Sequence, residues 1–142
     1  MAGETRRLYA AVAAGSALGA LARYLCSLAA VALLGPAFPW GTLTVNVLGS
    51  FLIGLYASLS EPEGRLLASP AQRHFVMAGF CGGFTTFSIF SLETLLLIDR
   101  QELGAAAIYV AVSVALWLVS VWIGYGIGTR LNRGSHNRLF CE

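Results

Sequence analysis

The stretch GFCGGFTTFSIFS, residues 79–91, decides how this chain is read. It mixes glycines, hydroxyls and phenylalanines inside a longer apolar run. Lipid offers the backbone no hydrogen-bonding partners, so non-helical chain at membrane depth survives only when buried in protein or lining a cavity. Two adjacent glycines, Gly82 and Gly83, weaken a helix in its middle. Thr85, Thr86 and Ser88 then satisfy, or compete for, the backbone groups released there. A helix broken in mid-bilayer is a common way to build an ion site. The stretch therefore predicts the working segment of a small membrane channel or transporter, with the break at the glycine pair.

The flanking sequence supports the membrane setting. The 142 residues are 57% hydrophobic and 11% charged, with a mean hydropathy of +0.73. A soluble domain carries about 25% charged residues. Four apolar runs, about 8–34, 41–60, 73–98 and 103–128, are each long enough to cross a bilayer. They predict an all-α membrane protein, a single four-span domain over residues 1–142. The first run is too long for a signal-peptide core, and Arg23 interrupts it. The connections are short. Pro36 and Pro39 separate the first two spans, Pro62 and Pro70 mark a polar loop over 61–72, and 99–102 is a tight turn. The polar tail from Thr129 is expected to fray.

Several function classes are excluded. Cys26 and Cys81 fall in spans and Cys141 in the tail, so they form no disulfide framework. His74 and His136 stand alone, without a metal-ligand cluster. There is no catalytic triad, and the glycine-rich stretch lacks the lysine of a phosphate loop. The basic residues flank spans and form no nucleic-acid-reading surface. Charge placement predicts topology. Arg6, Arg7, Arg65, Arg73, Arg130, Arg133 and Arg138 gather on one side and Arg100 lies on the other, which puts both termini in the cytoplasm of an inner (plasma) membrane.

Polar residues inside the spans are the candidate site. Asn46 has Gly49 and Ser50 on its own face, three and four residues on. It either bonds a neighbouring helix or offers its amide to an anion. Arg23 is costly at membrane depth. It either snorkels or ion-pairs, or forms an electropositive vestibule. Gly15 and Gly19 make a small-residue packing pattern. Phe87 and Phe90 share a helix face, and phenyl edges are electropositive, so two of them can hold an anion. A break also leaves carbonyls facing outward, suited to a small cation. Tyr109 and Ser113, four apart, begin a hydroxyl track, with Ser120 further along. Trp117 and Trp122 pack or anchor, and Gly124 and Gly128 pack.

These residues resemble the Fluc/CrcB fluoride channels across all four spans, above all in GTLTVNVLGSFLIG (41–54) and GFCGGFTTFSIFSLE (79–93). The resemblance implies an antiparallel, dual-topology dimer with two fluoride pores and a central structural Na+. It puts sodium on the backbone carbonyls of Gly82 and Thr85. It puts fluoride beside Phe87, Phe90 and Asn46, with the hydroxyls of Thr86 and Ser88 on the same path, Arg23 in the vestibule, and Tyr109 and Ser113 in the hydroxyl track. Ile89 stands where the family usually has a threonine, and Trp117 stands where the track often continues. The arginine bias conflicts with dual topology and admits a homologous partner chain, although retention of both phenylalanines and Asn46 favours the homodimer. The expected function is passive export of cytoplasmic fluoride through lipid-embedded protein, with no enzymatic step. The alternatives are a small multidrug exporter, disfavoured because the first three spans offer only Glu93 near the end of the third, and a structural subunit without transport.

Overall fold

The computed structural model describes residues 2–62 and 64–139; Cys141 lies outside the described residues. Helix α1 runs Ala2–Leu34, α2 Trp40–Leu59, α3 Pro70–Arg73, α4 Gly82–Phe84, α5 Phe87–Asp99 and α6 Leu103–Leu139. Between α3 and α4, His74–Cys81 winds as a wider π-helix. Four helical stretches, Gly3–Leu34, Trp40–Leu59, Pro70–Asp99 and Leu103–Arg133, are long and apolar enough to cross a membrane. Among the described residues there is no strand.

Local chemistry sets the boundaries. α1 stops at Gly35, whose φ of +81° suits glycine and whose N–H donates to the Val31 carbonyl at 3.0 Å. The third span starts at Pro70, earlier than the expected 73. Ser69 and Gln72 form a reciprocal capping box, with Pro70 in the first helical position. The α5–α6 turn places Gln101 at φ +61°, and the Glu102 N–H reaches back to the Leu97 carbonyl at 2.9 Å. The expected fraying from Thr129 is corrected: α6 continues to Leu139. The extension has a tether. Asn132 donates to the Ser58 carbonyl at 2.9 Å and accepts from the Arg65 N–H at 3.0 Å, binding α6 to the end of α2 and the loop after it.

The break is also corrected. Gly82 is helical (φ −64°, ψ −35°), and Gly82–Phe84 form α4. Extended backbone occurs instead at Thr85 (φ −82°, ψ 161°) and Thr86 (φ −152°, ψ 122°). Glycine here serves close approach rather than helix breaking. A Cβ on Gly83 would lie 2.5 Å from the Ser16 carbonyl oxygen, and a Cβ on Gly15 or Gly19 would strike the backbone of Phe75 or Phe80. The small-residue pattern of α1 thus packs directly on the third span. Gly54 and Gly124 let α2 and α6 meet in the same way. A central cluster of Leu43, Phe90, Leu97, Ala106 and Tyr109, with Phe38, Val47, Ala105 and Trp117 against it, fills the space between α2, α5 and α6. Many large apolar side chains on α1, α5 and α6 face outward, as lipid-facing residues do.

Candidate functional site

The site is organised around the two extended residues. Asn46 is buried on α2 and meets the backbone of Thr86 with both ends of its amide. Its Nδ2 donates to the Thr86 carbonyl at 2.9 Å, and its Oδ1 accepts from the Thr86 N–H at 2.7 Å. The side chain thus supplies both bonds that an extended residue would otherwise lack. Of the two readings open for Asn46, the bond to a neighbouring span is what the geometry displays; it uses one of the two amide hydrogens.

The clamp has a consequence upstream. In a continuous helix the Thr86 N–H would donate to the Gly82 carbonyl; here it goes to Asn46, while the Thr85 N–H donates to Cys81 at 3.0 Å. The Gly82 carbonyl loses its helical donor. The Thr85 carbonyl, turned out by its extended ψ, receives Arg23 Nη1 at 3.4 Å. The Thr85 hydroxyl bonds the Cys81 carbonyl at 2.9 Å, and its methyl abuts Gly49 so closely that a side chain there would clash. Thr86 also caps α5. Its Oγ1 accepts from the Ile89 N–H at 3.2 Å and lies 3.2 Å from the Ser88 hydroxyl.

Two cavities have Thr86 on their walls. One, of about 290 Å³, is lined by Asn46, Ser50, Gly82, Thr85, Phe87 and Trp117 among others. The second, of about 360 Å³, holds Arg23, Thr42, Glu93 and Arg100, with Thr86 again on its wall. Phe90, Tyr109, Ser113 and Ser88 line neither of these two. Phe87 and Phe90 pair at 5.6 Å between centroids, but Phe90 is buried while Phe87 is 70% exposed. The shared face of the two rings is therefore split between the core and the outside of the chain.

Glu93 is a site residue that the sequence reading missed. Thr42 donates to its Oε1 at 2.9 Å and Tyr109 to its Oε2 at 2.7 Å. The Tyr109 hydrogen expected in the hydroxyl track is thus committed to a carboxylate. The available signal was the pairing of Glu93 with Thr42 and Tyr109 on three different spans, which no single-helix periodicity reveals. Ser113 is fully buried, and its hydroxyl has no hydrogen-bond partner among the described residues.

Comparison with known proteins fits this architecture. The model of the family described as CrcB-like protein, Camphor Resistance (CrcB), matches residues 10–125. A Rhodopseudomonas palustris protein named Fluoride-specific ion channel FluC 1 is 57% identical over 126 residues, 89% of each chain. A Bradyrhizobium diazoefficiens protein of the same name is 55% identical over 126 residues, 89% of this chain and 87% of its own. A Fluoride-specific ion channel FluC from Opitutus terrae is 50% identical over 125 residues, 88% of this chain and 95% of its own. The fold defines a small multi-pass membrane protein with a polar site among its spans. The chain belongs to the CrcB family.

Proposed function

We propose that this chain forms a fluoride-selective channel that releases cytoplasmic fluoride passively and so lowers its toxic concentration. It is a channel and not an enzyme. Neutral HF enters from acidic surroundings and dissociates in the cytoplasm, trapping the anion. An inside-negative potential drives the anion out with roughly 2.3 kcal/mol per charge per 100 mV, so no coupled energy source is needed. One observation carries this reading: an extended backbone residue, clamped through both polar groups by Asn46, lies on the walls of two cavities among the spans. The names of the relatives supply the ion. Nothing in those relatives supports a multidrug exporter.

Fluoride passes the edges of Phe87 and Phe90, the second amide hydrogen of Asn46 and the hydroxyls of Thr86, Ser88 and Ser113, with Arg23 raising the local anion concentration. Tyr109 serves through Glu93. The interruption at Thr85–Thr86 lies at mid-membrane depth, and the working unit is an antiparallel dimer. Exposure of Phe87, Ser88 and Gly82 on a single chain supports this, since a second copy would cover them. The freed Gly82 carbonyl and the outward-turned Thr85 carbonyl fit a structural sodium ion on the dimer axis. When bound, that ion neutralises converging carbonyl dipoles. Arg23, already on Thr85, leaves one carbonyl lone pair open there.

Fluoride-electrode recording from proteoliposomes loaded with fluoride, with a potassium ionophore added, tests the channel. Efflux without a proton gradient is expected; no efflux, or efflux that follows proton flux, refutes it. Replacing sodium on both sides by a large organic cation is expected to abolish flux slowly. Undiminished flux removes the cation site.

A further inference from the structure

At the end of the bundle that gathers the termini, a cavity of about 630 Å³ lies between the end of α2, the loop after it and the start of the third span. It plays no part in the fluoride path described above, and what it offers does not depend on which ion the chain conducts. Glu61 and Arg73 both line it, with Ser69 and His74 beside them. Glu61 Oε1 accepts from the Tyr125 hydroxyl at 2.8 Å, which leaves the second carboxylate oxygen open. Among the described residues no ion pair joins Glu61 to Arg73, and the Arg73 guanidinium has no hydrogen-bond acceptor. His74 Nδ1 donates to the Pro70 carbonyl at 2.7 Å, which holds the imidazole against the third span.

An apolar groove of about 290 Å³ adjoins this cavity. The two share Leu66, Leu67 and Ala68, and Tyr56, Phe75 and Val76 form the far wall of the groove. Both flanking elements give the same direction. Tyr56 lies one turn inside Ser60 on α2, and Phe75 and Val76 follow Arg73 and His74 into the third span. The charged cavity is therefore the outer one and the apolar groove the deeper one. Depth agrees. The third span covers 30 residues, Pro70–Asp99, which is about 45 Å at 1.5 Å per residue. That is the thickness of a bilayer with its headgroup layers. Arg73, one turn from the start of the span, stands at headgroup level. Leu67, 91% exposed and shared by both cavities, faces the acyl chains below.

Opposite charges that face one cavity without meeting suit a guest that carries both signs. A guanidinium binds phosphate oxygens. The open carboxylate oxygen accepts from an ammonium. A purely anionic headgroup satisfies Arg73 and meets Glu61 with like charge. A choline headgroup carries the positive charge but has no N–H to donate. A phosphate diester bearing a primary ammonium satisfies both residues, and the groove takes its chain. We infer that these two cavities form a binding site for one aminophospholipid, with a phosphoethanolamine headgroup between Arg73 and Glu61 and an acyl chain along Phe75 and Val76.

The test is lipid retention by the full chain, purified and delipidated, read by native mass spectrometry. Phosphatidylethanolamine, phosphatidylcholine and phosphatidylglycerol of identical chains are added in turn. The ethanolamine lipid is expected to be retained about tenfold more strongly than the choline lipid, the worth of a hydrogen bond between charged groups. Glu61→Gln keeps an acceptor for Tyr125 and removes the charge. It is expected to bring the ethanolamine and choline lipids within about twofold of each other and to raise retention of the glycerol lipid. Arg73→Gln is expected to weaken all three. Val76→Trp, which fills the groove, is expected to weaken the ethanolamine lipid without changing the order of headgroups. Gel-filtration profiles matching the parent's control for folding. If Arg73→Gln does not fold, Glu61→Gln decides alone. Equal retention of the three lipids by the parent, or the glycerol lipid ahead of the ethanolamine lipid, overturns the inference. So does an ethanolamine preference that survives Glu61→Gln. Displacement of the lipid by water-soluble O-phosphoethanolamine at equal concentration would make the guest a free phosphate ester and remove the lipid.

Discussion

Asn46 does at a single position what a helix does with its neighbours: it gives Thr86 one donor and one acceptor. Asn46→Leu keeps the volume and removes both. Two buried backbone groups are then unpaired, at about 1–3 kcal/mol each. The thermal unfolding midpoint in detergent is expected to fall by several degrees, and fluoride flux with it. An unchanged midpoint would mean that Thr86 finds other partners. Asn46 and Arg23 stand out in the sequence as candidates because polar and charged side chains at membrane depth are costly and few, and Phe87 and Phe90 by their shared helix face. The sequence could not assign the Asn46 amide, because the partner is backbone on another span, and backbone carries no sequence signal. Glu93 escaped for a related reason: its position near a span end hid two hydroxyls converging on it.

Among the elements, the third span shows where propensity misleads. Gly82-Gly83 has the composition of a helix breaker, yet both residues are helical, and the non-helical step falls at two threonines. Intrinsic preference is a weak prior, and the packing of α1 overrides it. The two glycines are therefore not equivalent. A Cβ on Gly83 would lie 2.8 Å from the Ser16 Cα, whereas one on Gly82 meets only the Met77 carbonyl, at 4.0 Å. Gly83→Ala is expected to cost about 1–3 kcal/mol by forcing α1 away. Gly82→Ala meets no such obstacle within its own chain and is expected to disturb the packing of α1 less than Gly83→Ala. Paired thermal melts check this, and equal effects would refute the packing account. The four long elements themselves were readable from hydrophobic length, since the bilayer fixes what a span needs. Their ends were less so: the Ser69–Gln72 cap and the Asn132 tether add turns that hydropathy does not register.

For the whole molecule, membrane class and family follow from composition and relatives, while assembly depends on surfaces that a single chain leaves open. The arginine distribution predicts that every copy keeps its termini in the cytoplasm. An antiparallel homodimer requires both orientations. Labelling of a cysteine introduced near the N-terminus, with Cys141 replaced, separates these in intact spheroplasts. About half of the molecules labelled from outside is the expected result for equal numbers of the two orientations. Complete protection would replace the second copy by a homologous partner chain. Sequence cannot resolve this, because the charge bias speaks of insertion and the shared site residues speak of symmetry.

The Asn46–Thr86 clamp also bears on biogenesis. Chains are made from the N-terminus, so α2 reaches the membrane before the third span does. When Thr86 arrives, its partner is already waiting, and the non-helical step need never face lipid unpaired, a state that costs several kcal/mol per group. The order of spans is thus part of how the chain matures. A version expressed as two pieces, residues 1–63 and 64–142, should yield a stable second piece only when the first is made with it. Alone, the second piece would carry an open backbone step into the bilayer and become a substrate for membrane proteolysis.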